Sequence, residues 1–217
     1  MRENYNLLID YLPTRVNVGG VEMDIQSDFR TALLFEMLMD DGSVPAEDKG
    51  IQAIRLFFHS MPSTEDEAQE YIDRIMWFYR CGKEPNEYMR ARQEKREKQN
   101  DADDRSRIYD FRYDDDYIYA AFIQQYGINL NSIEYMHWWE FRALFKGLTG
   151  NTEFVKIMEF RGMKITDSMS KEQKSYYRKM KRIYALPIPK EERERMDAIT
   201  EALMNGGDLK SLSTAKK

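Results

Sequence analysis

Cysteine and histidine are scarce in this chain of 217 residues. Cys81 is the only cysteine, so no disulfide can form within the chain, and a secreted, disulfide-bridged scaffold has no support. The two histidines, His59 and His137, lie far apart, and neither belongs to a His-x-x-x-His or Cys-x-x-Cys pattern that would indicate zinc. We therefore expect no metal ion, no cofactor and a reduced, cytosolic environment.

Long apolar runs, phosphate-binding loops and an excess of basic residues are also missing. No stretch approaches the roughly 20 apolar residues that cross a bilayer, and residues 1–12 carry charges where a signal peptide has its apolar core. Neither a Walker-type loop nor a Gly-x-Gly-x-x-Gly pattern occurs. The formal net charge of -5 argues against general nucleic-acid binding. We expect a protein that is not exported and binds neither a membrane nor nucleic acid.

Apolar and polar residues alternate on both sides of Gly19-Gly20, which predicts a small β-hairpin because a Gly-Gly pair readily adopts the positive φ angles of a tight turn. Asp28 can cap the helix that follows, and Ser170-Lys171-Glu172-Gln173 matches a capping box. Helical periodicity then predicts helices over residues 29–39, 46–59, 65–81, 114–126, 132–148, 152–160, 171–186 and 191–204.

A charged segment interrupts this pattern. Residues 83–107 hold eight basic and seven acidic side chains and almost no apolar ones, so they cannot form a core. We predict a mainly α fold with two small helical lobes, the first of which carries the β-hairpin. The first lobe spans residues 1–82, a helical or disordered linker spans 83–107, the second lobe spans 108–204, and a flexible tail spans 205–217.

The local carboxylate cluster of Asp110, Asp114, Asp115 and Asp116 is the strongest candidate for acid-base or Mg²⁺ chemistry. Successive helical positions point about 100° apart, so these carboxylates do not converge without help from elsewhere. Carboxylates in the first turn of a helix are more simply explained as partners of its dipole. Cys81 is likewise more typical of a packing residue than of a nucleophile. We therefore expect a protein with no catalytic residues, not an enzyme.

An aromatic stretch centred on His137-Trp138-Trp139 remains. A lone histidine among aromatic residues is usually hydrogen-bonded inside a core, and less often belongs to a binding face. The two tryptophans point in different directions on one helix, so one anchors the core while the other can serve as a protein-contact anchor.

Several motifs give the chain a resemblance to a known family. Acidic residues precede an Ile-x-x-Ala-Phe helix at Ile118-Tyr119-Ala120-Ala121-Phe122. Further motifs follow at Tyr126-Gly127-Ile128-Asn129-Leu130, at His137-Trp138-Trp139-x-Phe141-x-x-Leu144 and at Thr152-x-Phe154-x-x-Ile157-Met158-x-x-Arg161. Nearer the start lie Leu12-Pro13, the predicted hairpin, Asp28-Phe29-Arg30 and Phe78-Tyr79-x-Cys81-Gly82. The chain resembles, up to about Leu186, the gp-fifteen family of siphophage and prophage proteins encoded in the tail module.

The resemblance implies a non-enzymatic tail assembly chaperone in the cytoplasm of the bacterial host. Such proteins bind the tape measure protein before the tail tube polymerises around it, and a second tail assembly chaperone or further copies of the chain are possible partners. A minor structural component of the phage tail is the alternative. We hypothesise that the second lobe binds the partner through one set of side chains: His137, Trp138, Trp139, Phe141 and Phe145.

Overall fold

The computed structural model describes residues 5–83 and 108–187. Strands β1 (Arg15–Val18) and β2 (Val21–Asp24) form an antiparallel hairpin in which Val18 pairs with Val21. Gly19 and Gly20 have φ angles of 58° and 84°, values that glycine adopts without the steric penalty of a Cβ atom. The alternation of β1 buries Val16 and Val18 on one face, as a half-buried strand requires.

Three helices follow the hairpin: α1 (Phe29–Asp40), α2 (Ala46–Phe57) and α3 (Glu65–Tyr79). The Asp28 carboxylate caps α1 by accepting a hydrogen bond from the Arg30 amide, and the Thr64 hydroxyl caps α3 in the same way. Each helix buries an apolar stripe that points towards the hairpin or its neighbouring helices.

Four more helices lie within residues 108–187: α4 (Asp115–Tyr126), α5 (Trp138–Lys146), α6 (Glu153–Gly162) and α7 (Lys171–Ile183). Gly127, in the left-handed region at φ 67°, ends α4. Ser170 and Gln173 form the predicted capping box at the start of α7. None of the helices in the two described ranges has the length and apolarity to cross a membrane.

The mainly α fold with an N-terminal hairpin is confirmed, with seven helices in the described ranges. The helix predicted over 132–148 begins six residues late, at Trp138, because the preceding residues pair with the start of α1 instead. Phe29 donates its amide hydrogen to the Met136 carbonyl, and Trp138 donates to the Ser27 carbonyl. These bonds hold the backbone at His137 in an extended conformation, so the helix begins only at Trp138.

The described residues on both sides of the charged segment contribute to one hydrophobic core. The Phe29 ring stacks on the Phe141 ring with centroids 4.7 Å apart, and the centroid of Phe78 lies 6.0 Å from that of Trp139. The two predicted lobes therefore pack directly on each other, and their proposed boundaries stay a prediction. The linker beyond Lys83, the helix over 191–204 and the tail over 205–217 lie outside the described residues.

Candidate functional site

The five side chains predicted to contact a partner lie at the start of α5 and along it. His137 is the residue that caps α5, and Trp138, Trp139 and Phe141 are each at most 4% exposed. Phe145 is half-buried against the same core. The structure therefore brings all five together, but it does so in the interior of the protein.

The two tryptophans join α5 to the end of α3. The indole N–H of Trp138 donates to the Tyr79 carbonyl at 3.0 Å, and that of Trp139 donates to the Phe78 carbonyl at 2.7 Å. The last carbonyls of a helix have no partner within the helix, and here they are well supplied from outside it: the Phe78 carbonyl also accepts from the Cys81 amide, and the Tyr79 carbonyl from Arg142. A Cβ atom on Gly82 would lie 2.9 Å from the Trp139 ring, so only glycine fits there.

His137 is a hydrogen-bonded core histidine. Its Nδ1 accepts a hydrogen bond from the Trp139 amide at 3.0 Å, so the ring proton is on Nε2, which donates to the Pro13 carbonyl at 3.1 Å. Burial lowers the pKa of His137 below its usual value, because charging the ring in this apolar site is unfavourable. The neutral ring thus ties the segment before β1 to the start of α5.

Phe141 lies at the centre of an aromatic stack that joins α1, α4 and α5. Its ring is nearly parallel to those of Phe29 and Phe122, with centroids 4.7 Å and 5.1 Å away. Trp138 and Phe145 extend the stack on either side, each with its centroid 5.9 Å from that of Phe141. Parallel aromatic rings at these separations contribute to stability beyond the area they bury. The structure therefore supports the interpretation of Trp138, Phe141 and Phe145 as core residues. Their contact with a partner stays a prediction.

The carboxylate cluster divides into buried and exposed members. Asp114 is fully buried and accepts two hydrogen bonds from Arg161, at 2.6 Å and 2.8 Å. Asp110 is buried too and pairs with Arg112. Asp115 lies exposed in the first turn of α4. Over the described ranges, no three histidine, cysteine, aspartate or glutamate side chains converge as a metal site would require.

Cys81 has the environment of a packing residue. It adopts a positive φ of 60° just after α3, and Arg142 donates a hydrogen bond to its sulfur at 3.4 Å. Burial nevertheless raises the pKa of the Cys81 thiol, an effect that the nearby guanidinium reduces without reversing. The thiol is therefore protonated near neutral pH and is a poor nucleophile.

An exposed apolar turn near the start of the chain was missed by the sequence analysis. We call residues 7–11 the N-terminal apolar turn; Leu8, Ile9 and Tyr11 in it are 93%, 79% and 98% exposed. The Asn6 carbonyl accepts hydrogen bonds from the amides of Ile9 and Asp10, and the Asp10 carboxylate accepts one from the Asn6 amide. The available signal was the Leu7-Leu8-Ile9 run between two turn-forming residues.

Both ends of the N-terminal apolar turn are anchored in the core. Tyr5 packs edge-on against Trp77 and Trp139, with ring centroids 5.8 Å and 5.3 Å away. At the other end, the Pro13 carbonyl accepts the hydrogen bond from His137. The turn is therefore held at both ends while its apolar side chains remain in solvent, which makes it a candidate surface for protein contact.

Fold and site together define a small, mainly helical protein in which Asp114, His137 and Cys81 are engaged in packing and pairing, with an ordered apolar turn on its surface. The chain belongs to the Bacteriophage Gp15 protein family, whose model matches residues 8–186. The resemblance stated from the motifs is thereby confirmed, and the protein is phage-related. No curated protein and no solved structure matches the chain.

Proposed function

We propose that this protein is a tail assembly chaperone that binds the tape measure protein during phage tail morphogenesis, in the cytoplasm of the bacterial host, and catalyses no reaction. The observation that carries the proposal is the N-terminal apolar turn on a member of a phage protein family. A tape measure is a long helical rod, and bare apolar stripes on such a rod would associate with each other. A protein that covers those stripes keeps them apart.

The rigidity of the turn favours binding. Its backbone is held by hydrogen bonds within the turn, and both ends are attached to the core. A surface that is ordered before binding loses little conformational entropy when a partner arrives, so even a small apolar contact retains useful affinity.

The size of the turn favours a reversible complex. Stable protein interfaces bury about 800 Å² on each partner, contributed by roughly 20–30 residues, whereas the turn offers only a few exposed apolar side chains. A chaperone that leaves before the tail is complete requires a small contact of this kind. Additional contacts from half-buried residues would strengthen binding, but the turn by itself suits repeated binding and release.

The state of the titratable candidates supports a role without catalysis. Both oxygens of Asp114 accept hydrogen bonds from Arg161, both nitrogens of His137 are bonded, and the thiol of Cys81 is protonated. A general base or nucleophile needs a free lone pair directed at a substrate. These three side chains have structural partners instead.

Co-expression with the cognate tape measure protein tests the proposal. We expect the wild-type chain to increase the soluble tape measure and to co-purify with it, and the variant Leu8→Ser with Ile9→Ser to do neither. Both side chains are largely exposed, so the variant should retain wild-type stability to within about 0.5 kcal/mol.

The matched control is Leu34→Ser with Ile51→Ser, which removes two exposed apolar side chains elsewhere and should leave binding unchanged. Equal binding by the turn variant and the wild type would refute the role of the turn. Failure of the wild type to bind would refute the chaperone function. Recovery of the protein in purified phage particles would favour a structural component of the tail instead.

A further inference from the structure

Helix α7 presents a strongly basic face to solvent. It carries six basic side chains and one acidic one, in a chain whose formal net charge is -5, and none of its residues is buried. Tyr176 and Ile183, 50% and 54% exposed, lie seven residues apart and therefore on the same face. Lys179 flanks this face, and Arg182, three residues further on, continues the row of basic side chains beside it. This face combines apolar anchors with positive charge.

A groove between the hairpin and the start of α3 has the complementary character. This groove, which we call the hairpin groove, has a volume of about 410 Å³. Its lining includes three apolar and three acidic side chains and, among the described residues, no basic one: Val18, Val21, Met23, Asp66, Glu67 and Glu70. The Glu70 carboxylate accepts a hydrogen bond from the Gly19 amide, which holds the tip of the hairpin against α3.

We infer that α7 of one copy of this chain docks in the hairpin groove of a second copy. Tyr176 and Ile183 supply the apolar contact with Val21 and Met23. Lys179 and Arg182 then lie opposite the carboxylates at the rim of the groove. Apolar contact at the centre with opposite charges around it is the usual arrangement of a specific interface.

Charge complementarity identifies the occupant. A groove with three carboxylates repels an acidic helix and attracts a basic one. Among the described helices, α7 has the largest excess of basic over acidic side chains, while α3 begins with three acidic residues. The chain thus carries both halves of the contact on its own surface.

The two halves are different surfaces, so the contact is heterologous. Each copy that uses its α7 still has an open groove, and association continues until a ring closes or a filament forms. The inference stands apart from the proposed function, because copies could associate in this way whether or not they bind a tape measure protein.

Sedimentation velocity of the full chain at several concentrations, at low and high ionic strength, tests the inference. We expect the wild type to form assemblies larger than a dimer that dissociate as salt screens the charges. Lys179→Glu with Arg182→Glu, and separately Asp66→Lys with Glu70→Lys, should each weaken association by about tenfold or more. Asp66→Lys alone keeps the hydrogen bond that the Gly19 amide donates to Glu70, so this single variant replaces the double variant if the latter unfolds.

An equimolar mixture of the helix variant and the groove variant provides the decisive measurement. Each variant should be largely monomeric alone, and the mixture should associate, because unlike charges again face each other across the contact. The control Asp115→Lys with Asp116→Lys alters carboxylates outside the hairpin groove and should behave like the wild type.

A wild-type chain that stays monomeric at all concentrations and low salt would overturn the inference. Association that survives both charge reversals, or a mixture that fails to associate, would overturn it as well. None of these results would affect the tape measure experiment, because the N-terminal apolar turn is intact in every variant.

Discussion

The buried pair of Asp114 and Arg161 should be the most destabilising polar site to mutate. Asp114 is fully buried at the start of α4, and Arg161 lies on α6. Besides its two bonds to Asp114, the guanidinium donates to the Tyr184 carbonyl at 2.6 Å and to the Ile108 carbonyl at 3.1 Å. The Asp110 amide donates to Asp114 at 2.9 Å. This ion pair thus links the start of α4 and helix α6 to the residue that ends α7 and to Ile108, which precedes α4.

The expected magnitude follows from which group is left without a partner. Asp114→Ala leaves the buried Arg161 cation uncompensated, and breaking a buried pair in this way typically costs about 3–5 kcal/mol. A domain of ordinary stability has about 5–15 kcal/mol in total, so the variant should be partly unfolded at modest denaturant concentration. Arg161→Lys keeps the charge but loses the forked geometry and at least one carbonyl contact, for which we expect a loss of about 2 kcal/mol.

Urea denaturation followed by circular dichroism measures these losses. The control Asp115→Asn removes an exposed first-turn carboxylate and should cost at most about 1 kcal/mol. The double variant Asp114→Asn with Arg161→Gln contains no uncompensated charge and should lose less than the sum of the single variants. A loss below about 1 kcal/mol for Asp114→Ala would refute the assignment of this pair as a structural link. Any test of catalysis by this cluster should therefore use the exposed Asp115 and Asp116, not Asp114.

Three further predictions concern the joint between α3 and α5. Because the pKa of His137 is lowered in the folded state, the unfolded chain binds a proton more readily, so the free energy of unfolding falls as the pH drops below about 6.5. His137→Asn keeps a capping oxygen but cannot be protonated. Urea titrations at pH about 7.5 and about 5.5 should therefore show a smaller loss of stability for this variant than for the wild type. Trp139→Phe removes the indole hydrogen bond to the Phe78 carbonyl, which keeps its bond from the Cys81 amide, and places a smaller ring in the core; it should cost about 1–3 kcal/mol by the same assay, and an unchanged midpoint would contradict this. Gly82→Ala introduces a Cβ atom at φ 70° against the Trp139 ring and should lower the thermal midpoint, whereas Gly20→Ala meets no neighbouring atom and serves as the control for positive φ alone.

Signals that act over a few residues were sufficient to predict much of the fold. The Gly19-Gly20 turn, the Asp28 cap, the end of α4 at Tyr126 and the capping box that begins at Ser170 all occur where the sequence analysis expected them. Each depends on the backbone preferences or hydrogen bonds of adjacent residues, so no knowledge of distant segments is needed.

Predictions that depended on distant partners were less complete. Helical periodicity could not reveal that the backbone before Trp138 is held out of the helix by hydrogen bonds with Ser27 and Phe29. Nor could it distinguish a tryptophan that caps the end of α3 from one that contacts a partner protein. Nor could the sequence show that the N-terminal apolar turn is exposed, because Leu8 and Ile9 are of residue types that usually lie in a core.

The helical class, the hairpin, the helix caps and membership in a phage protein family could all be inferred from the sequence alone, because they depend on the order of neighbouring residues. The folded chain was needed to show which aromatic residues are interior, which carboxylate is buried against Arg161 and which apolar residues remain in solvent. Burial and pairing depend on which segments meet in space, and neighbouring residues do not reveal that. The start of α5 meets both the end of α3 and the segment before β1, so Trp139 bonds the Phe78 carbonyl and His137 bonds the Pro13 carbonyl, although these residues are far apart in the chain.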